Sequence, residues 1–159
     1  KDKTTNVLTL KDRREFTFRW LDYAKKRDFP FTILIADGGA DDAVGKHIDE
    51  GAFEALNIRY IKFDEDVDYE TFYNKVKKSL ELVDTPYYIT ADNDDFYSLA
   101  GLTEAVNYLE DNADYVACGG KLVPFSNENG KVYKTIFSVN NLKTKKQTCD
   151  YIINFINNN

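Results

Sequence analysis

The first two-thirds of the chain alternates short β-branched runs with longer stretches of helical period, a succession that implies repeated βαβ units around a mainly parallel sheet. Thr5 to Leu10 reads as the first strand. Arg14 to Arg27 reads as a helix, because Phe16, Trp20, Leu21 and Ala24 share one face, and Pro30 is expected to stop it. Phe31 to Ala36 is apolar without alternation, as in a strand covered on both faces. Ile58 to Phe63, Tyr87 to Ala91 and Tyr115 to Leu122 supply three more strands. Between them lie a helix running to about Leu56, one carrying Phe72, Val76, Leu80 and Val83 before Pro86, and one carrying Leu99, Leu102, Ala105, Val106 and Leu109.

Beyond Pro124 the pattern changes. Asn129-Gly130 favours a tight hairpin turn whose second arm would be Lys131 to Val139, and the tail from Cys149 to Asn159 carries a helical face of Ile152, Ile153, Phe155 and Ile156. Neither a repeat nor a linker interrupts the chain. The expectation is a single α/β domain over residues 1–159, with a core at 1–123 and a hairpin and helix at 124–159.

Composition narrows the partners. A net charge of −6 argues against nucleic acid, which requires clustered Lys and Arg. Cys118 and Cys149 show no metal-ligand spacing, which suggests a reducing compartment. Without a run near the ~20 apolar residues of a membrane span or a signal-peptide pattern, the expected setting is cytoplasmic.

In open α/β sheets, ligands bind beyond the carboxyl ends of the strands, so acids immediately after a strand carry the most weight. Three segments qualify: Lys11-Asp12-Arg13, Asp37-Gly38-Gly39, and Asp92-Asn93-Asp94-Asp95. Asp92 and Asp94, one residue apart on a loop leaving a strand, can offer hard oxygen ligands to a divalent cation while a diphosphate and waters complete its shell. Such an ion would neutralise phosphate charge that an acidic protein otherwise repels.

These residues resemble a known family. Leu80 to Asp95 (LELVDTPYYITADNDD) looks like the approach to the Asp-x-Asp motif of inverting family 2 glycosyltransferases of GT-A fold. Ile33 to Asp42 (ILIADGGADD) is similar to that family's second strand and acidic turn, and Leu8 to Arg13 (LTLKDR) to its first strand and Thr-x-Tyr-Asn-Arg turn. The resemblance covers about residues 5–123 and implies a three-layer α/β/α fold that binds a nucleoside-diphosphate sugar, of UDP or GDP type, with Mn2+ or Mg2+. It further implies that Thr9 and Lys11 line the nucleotide pocket and that Asp37 contacts base or ribose. Asp92 would hold ribose or help the metal, with Asn93 in the same binding set, and Asp94 would be the principal metal ligand. Sugar transfer to an unknown acceptor would follow.

The chain departs from the family pattern at Ala36 and Gly39, where a second acid and a Ser are usual, and at Lys77-Lys78-Ser79, in place of Asn-Arg-Gly. The family's acceptor half, with its Glu-Asp base, has no evident counterpart after Leu122, so no catalytic base is assigned. That keeps a non-catalytic nucleotide-sugar-binding or interaction module as the alternative. A sugar nucleotidyltransferase is disfavoured because Lys11-Asp12-Arg13-Arg14 lacks the expected Gly-rich loop. Several other residues read as structural: His47 on a helix, Asp41 and Asp42 as helix caps, and Cys118 as a buried thiol in a strand. Asp95 reads as either a third ligand or a turn cap.

Overall fold

The computed structural model describes residues 3–120, 125–128 and 131–134. In chain order the elements are β1 (Thr4–Leu10), α1 (Arg14–Lys26), β2 (Thr32–Asp37), α2 (Ala43–Asp49), β3 (Ile58–Lys62), α3 (Tyr69–Glu81), β4 (Tyr87–Asp92), α4 (Leu99–Asp111), β5 (Phe125–Glu128) and β6 (Lys131–Lys134). They fall into two compact units, Lys1–Phe96 and Tyr97–Asn159.

The first unit is an α/β layer structure on a four-stranded sheet of order β3-β2-β1-β4, in which every pairing is parallel. Two crossovers step outward from β1 to β3, and the third returns the chain across the sheet to β4. Right-handed crossovers, the nearly universal hand, therefore place α1 and α2 on one face and α3 on the other. Phe18 of α1 packs accordingly against His47 of α2, with ring centroids 4.7 Å apart, and against Phe53 just beyond it.

Position in the sheet explains the residue pattern. All six residues of the central strand β2 are buried, as its unbroken apolar run requires, whereas β4, an edge strand among the described residues, leaves Tyr88 55% exposed. Val7 and Leu8 of β1 join Ile33, Leu34 and Ile35 of β2 in the core, and Trp20, Leu21 and Ala24 of α1 are buried as well.

Two helix ends differ from expectation. Helix α1 stops at Lys26, upstream of Pro30, because Asp28 adopts a left-handed conformation (φ 49°). The amide of Phe29 then donates to the carbonyl of Ala24 (3.0 Å) and that of Asp28 to Lys25 (3.2 Å), the paired bonds of a Schellman cap. Glycine is the usual residue at that position, so Asp28→Gly is expected to raise stability by about 0.5–1 kcal/mol, read as an increased urea midpoint at unchanged slope. Helix α2 ends at Asp49, well short of Leu56, because Gly51 turns the backbone at φ 85°. Phe53 and Leu56 are still buried, from turns rather than from a helix.

In the second unit, Ser98 caps α4 by accepting from the amide of Gly101 (3.3 Å). Strands β5 and β6 pair antiparallel, with Glu128 opposite Lys131, while Asn129 and Gly130 themselves lie outside the described residues. The rest of the expected second arm to Val139 and the expected C-terminal helix lie outside the described residues. The expected strand from Tyr115 is not formed: Tyr115 to Gly120 carry no strand, and Val116 is 98% exposed. β-Propensity becomes a strand only against a ladder partner and a buried face, and this segment has neither among the described residues. Cys118 is accordingly only part-buried rather than a core thiol. Among the described residues, no helix is long and apolar enough to cross a membrane.

Candidate nucleotide and metal site

The chain reverses its direction of travel across the sheet at β1, which has β2 on one side and β4 on the other. The carboxyl ends at such a switch point open a crevice, where α/β sheets take their ligands. The ladders set its residues side by side: Thr9 is opposite Asp92, Leu10 opposite Asp37, and Asp37 opposite Lys62. Thr9, Lys11, Asp37, Asp92, Asn93 and Asp94 thus emerge at one end of the sheet.

Asp37 is 2% exposed and thoroughly engaged. Its Oδ1 accepts from the amide of Gly39 (2.7 Å) and lies 3.4 Å from Lys62 Nζ, and its Oδ2 accepts from the Tyr60 hydroxyl (2.7 Å). Burial, reinforced by the hydrogen bond to Asp37 and its charge, pushes the Tyr60 phenol well above its ordinary value, so it stays a proton donor. The glycines after Asp37 are required for space rather than for positive φ, which neither adopts. A Cβ on Gly38 would stand 2.3 Å from an Asp66 carboxylate oxygen, and one on Gly39 would stand 2.9 Å from the amide nitrogen of Asp12.

Asp66 and Lys75 are residues whose part sequence reasoning missed. Lys75 reaches through the layer to donate to the carbonyl of Leu10 at the end of β1 (2.9 Å) and forms an ion pair with Asp66, the two side chains being 2% and 4% exposed. The Asp66 amide donates to the carbonyl of Gly38 (2.9 Å), and Lys11 Nζ donates to the Asp66 carbonyl. Asp66 Oδ1 has no hydrogen-bond partner. This buried pair ties the ends of β1 and β2 to the loop before α3. The available sequence signal was the i, i+4 pair Lys75 and Ser79, both on the buried face of a helix whose start is fixed by the capping box of Asp68 and Thr71.

The Asp92–Asp95 loop has one inward and several outward groups. Asn93 is buried, and its amide donates to Thr17 Oγ1 of α1 (3.1 Å), so its side chain anchors the loop. Asp92 is exposed, and Asp94 Oδ2 accepts from Arg13 Nη2 at 3.0 Å. The carboxyl of Asp95 is raised above its ordinary value, first by burial and then by the charges of Asp94 and Asp92.

Among the described residues, no group of three or more His, Cys, Asp or Glu could hold an ion by itself. Asp92 and Asp94 are carboxylates, the donor type a hard cation takes, and a pair of them would leave most of such an ion's oxygen shell to a ligand and to water. Of the other acids, Asp41 Oδ1 accepts from the amide of Ala43 at the start of α2 (3.0 Å), whereas Asp42, at the N-cap position, makes no side-chain cap bond and pairs with Lys46 instead (2.9 Å). His47 rests on the rings of Phe18 and Phe53, a structural role.

Comparisons with known proteins give the fold its relatives. The structure is similar to TarS 1–349 of S. aureus, with a TM-score of 0.57 and 16% identity over 70% of this chain and 33% of that one. It is also similar to the mannosyltransferase PcManGT from Pyrobaculum calidifontis, solved with GDP-Man and Mn2+, with a TM-score of 0.57 and 13% identity over 69% of this chain and 33% of that one. At these identities the likeness is one of fold, and the chain spans about a third of the length of each. A search of curated proteins finds no match to the sequence. The model of the family described as Glycosyl transferase family 2 matches residues 18–157, nearly the whole chain, and the chain therefore belongs to that glycosyltransferase family.

Proposed function

We propose that this chain binds a nucleoside-diphosphate sugar at the carboxyl ends of β1, β2 and β4, and that it forms the donor half of a transferase acting on a hydroxyl acceptor. The observation that carries this reading is the position of Asp92 and Asp94, at the end of β4 beside β1, in a family 2 glycosyltransferase chain. Asp94, with Asp92, would hold Mn2+ or Mg2+. When bound, the ion supplies charge neutralisation to the departing diphosphate. PcManGT, solved with GDP-Man and Mn2+, supports both the ligand class and the metal.

The chain's own residues set the pocket. Thr9 and Lys11 border it at the end of β1, and Asp37, clamped by Gly39, Tyr60 and Lys62, fixes its floor beside β2. A carboxylate has about four acceptor positions, which leaves Asp37 one for a ribose hydroxyl or a base amide. Asn93, bonded to Thr17, holds the Asp92–Asp94 segment at the ligand. In the transfer, the acceptor oxygen bonds the anomeric carbon with inversion while the bond to the diphosphate breaks. No described residue is assigned the acceptor proton.

Thermal melts with UDP, GDP and their monophosphates, each with and without Mn2+, test the reading. A nucleoside diphosphate with Mn2+ is expected to raise the Tm most, since stabilisation grows as RT ln(1 + [L]/Kd), about 2.7 kcal/mol at a hundredfold excess over Kd. Equal shifts from monophosphates without metal would contradict it.

A further inference from the structure

Arg13 stands at the proposed donor site and is engaged with one of its acids. Asp12 and Arg13 are consecutive non-glycine residues in the left-handed region, each at φ 52°, a costly conformation that persists only where its surroundings hold it. Here Asp12 Oδ1 accepts from the amide of Ala40 (3.0 Å), and the Arg13 carbonyl accepts from the amide of Phe16 (2.9 Å). The guanidinium lies 4.1 Å from the centroid of the Phe16 ring, with Nη2 3.0 Å from Asp94 Oδ2. A residue 81 positions away in sequence is thus brought to Asp94 by a strained turn and an aromatic support.

Three lysines at this end of the sheet are committed to the backbone. Lys11 donates to the carbonyl of Asp66, Lys62 to that of Gly39, and Lys75 to that of Leu10. Arg13 differs: its side chain is 51% exposed, and its pair with the 40% exposed Asp94 is of the weak, solvated kind. A guanidinium and a divalent cation compete for the same carboxylate, and the nucleoside diphosphate released by transfer, unlike the doubly esterified diphosphate of a nucleotide sugar, carries more negative charge than one divalent ion cancels. The planar fork of Arg matches phosphate oxygens.

Resting on the donor-site reading, we propose that Arg13 exchanges partners: it occupies Asp94 in the ligand-free chain and moves to the diphosphate when a metal ion takes Asp94. The exchange makes its removal act with opposite sign on two ligands. In Arg13→Gln, Mn2+ alone should bind roughly 3- to 10-fold tighter, because its competitor for Asp94 and a nearby positive charge are gone. With Mn2+ saturating, UDP or GDP should bind roughly 10- to 100-fold weaker, from the loss of charge-assisted hydrogen bonds to phosphate. Arg13→Lys keeps the charge without the fork and should restore the metal affinity of the native chain while recovering only part of the nucleotide affinity.

Loss of the free Mn2+ electron paramagnetic resonance signal measures the first affinity, and calorimetry measures the second. Opposite shifts in Arg13→Gln establish the exchange. If the native chain binds Mn2+ and a nucleoside diphosphate but Arg13→Gln moves both affinities together, or neither, the exchange is wrong and the donor site stands. If the native chain binds no nucleoside diphosphate at all, the donor-site reading itself fails.

Discussion

Replacing Lys75 with alanine is expected to cost about 3–5 kcal/mol of folding stability, the usual consequence of removing one partner from a buried ion pair. The side chains of Lys75 and Asp66 are 2% and 4% exposed, so water cannot replace the lost partner without opening the layer. One carboxylate oxygen of Asp66 already lacks a partner, and the substitution leaves the second without its cation. The carbonyl of Leu10 loses a donor as well. Against a typical total of about 5–15 kcal/mol, that is a large fraction of the fold's stability.

The cost belongs to the stranded charge rather than to the absence of a salt bridge. Lys75→Met combined with Asp66→Leu should therefore recover most of it, since apolar pairs of similar volume commonly match buried ion pairs. Urea denaturation of the native chain, the single variant and the double variant checks both statements. A single variant within about 1 kcal/mol of native, the range of a solvated surface pair, would show that the pair is hydrated and does not tie β1 to α3.

The second large effect concerns ligand binding. Asp94→Ala is expected to weaken metal-dependent nucleotide binding roughly 100-fold or more, because even outer partners of metal ligands commonly contribute 10- to 100-fold. It should leave stability nearly unchanged, since Asp94 is a half-exposed side chain whose bond is to the exposed Arg13. That separation of binding from folding sets Asp94 apart from Asn93, whose buried bond to Thr17 makes it part of the scaffold.

The sheet was legible because its signals are local and redundant. The apolar run of β2 and the helical face of Trp20, Leu21 and Ala24 each state one structure from neighbouring residues alone. The acids at the strand ends were legible for the same reason, since a strand's end is a local property and the crevice follows from sheet order.

What the sequence hid is what three-dimensional pairing decides. Nothing near Asp66 marks it as the partner of Lys75, and the segment reads as one more acidic loop. Nothing near Arg13 points to Asp94. The backbone gave a similar lesson: Asp28 takes a left-handed cap more typical of glycine and ends α1 before Pro30 can, and Tyr115 to Gly120, rich enough in β-formers to read as a strand, has no ladder to join among the described residues. Gly38 and Gly39 are required by distant residues as well, because Asp66 and Asp12 leave no room for a Cβ.

The proposed role of Asp92 and Asp94 is to bring a divalent ion and a nucleoside diphosphate together at the end of β4. Calorimetric titration of UDP and GDP, with Mn2+ present and absent, on the native chain and on Asp94→Ala, tests it most directly. At least one of the two nucleotides is expected to bind the native chain only with Mn2+, and that binding is expected to be lost in Asp94→Ala at unchanged Tm. Binding that ignores the metal, or that persists undiminished in Asp94→Ala, would contradict it.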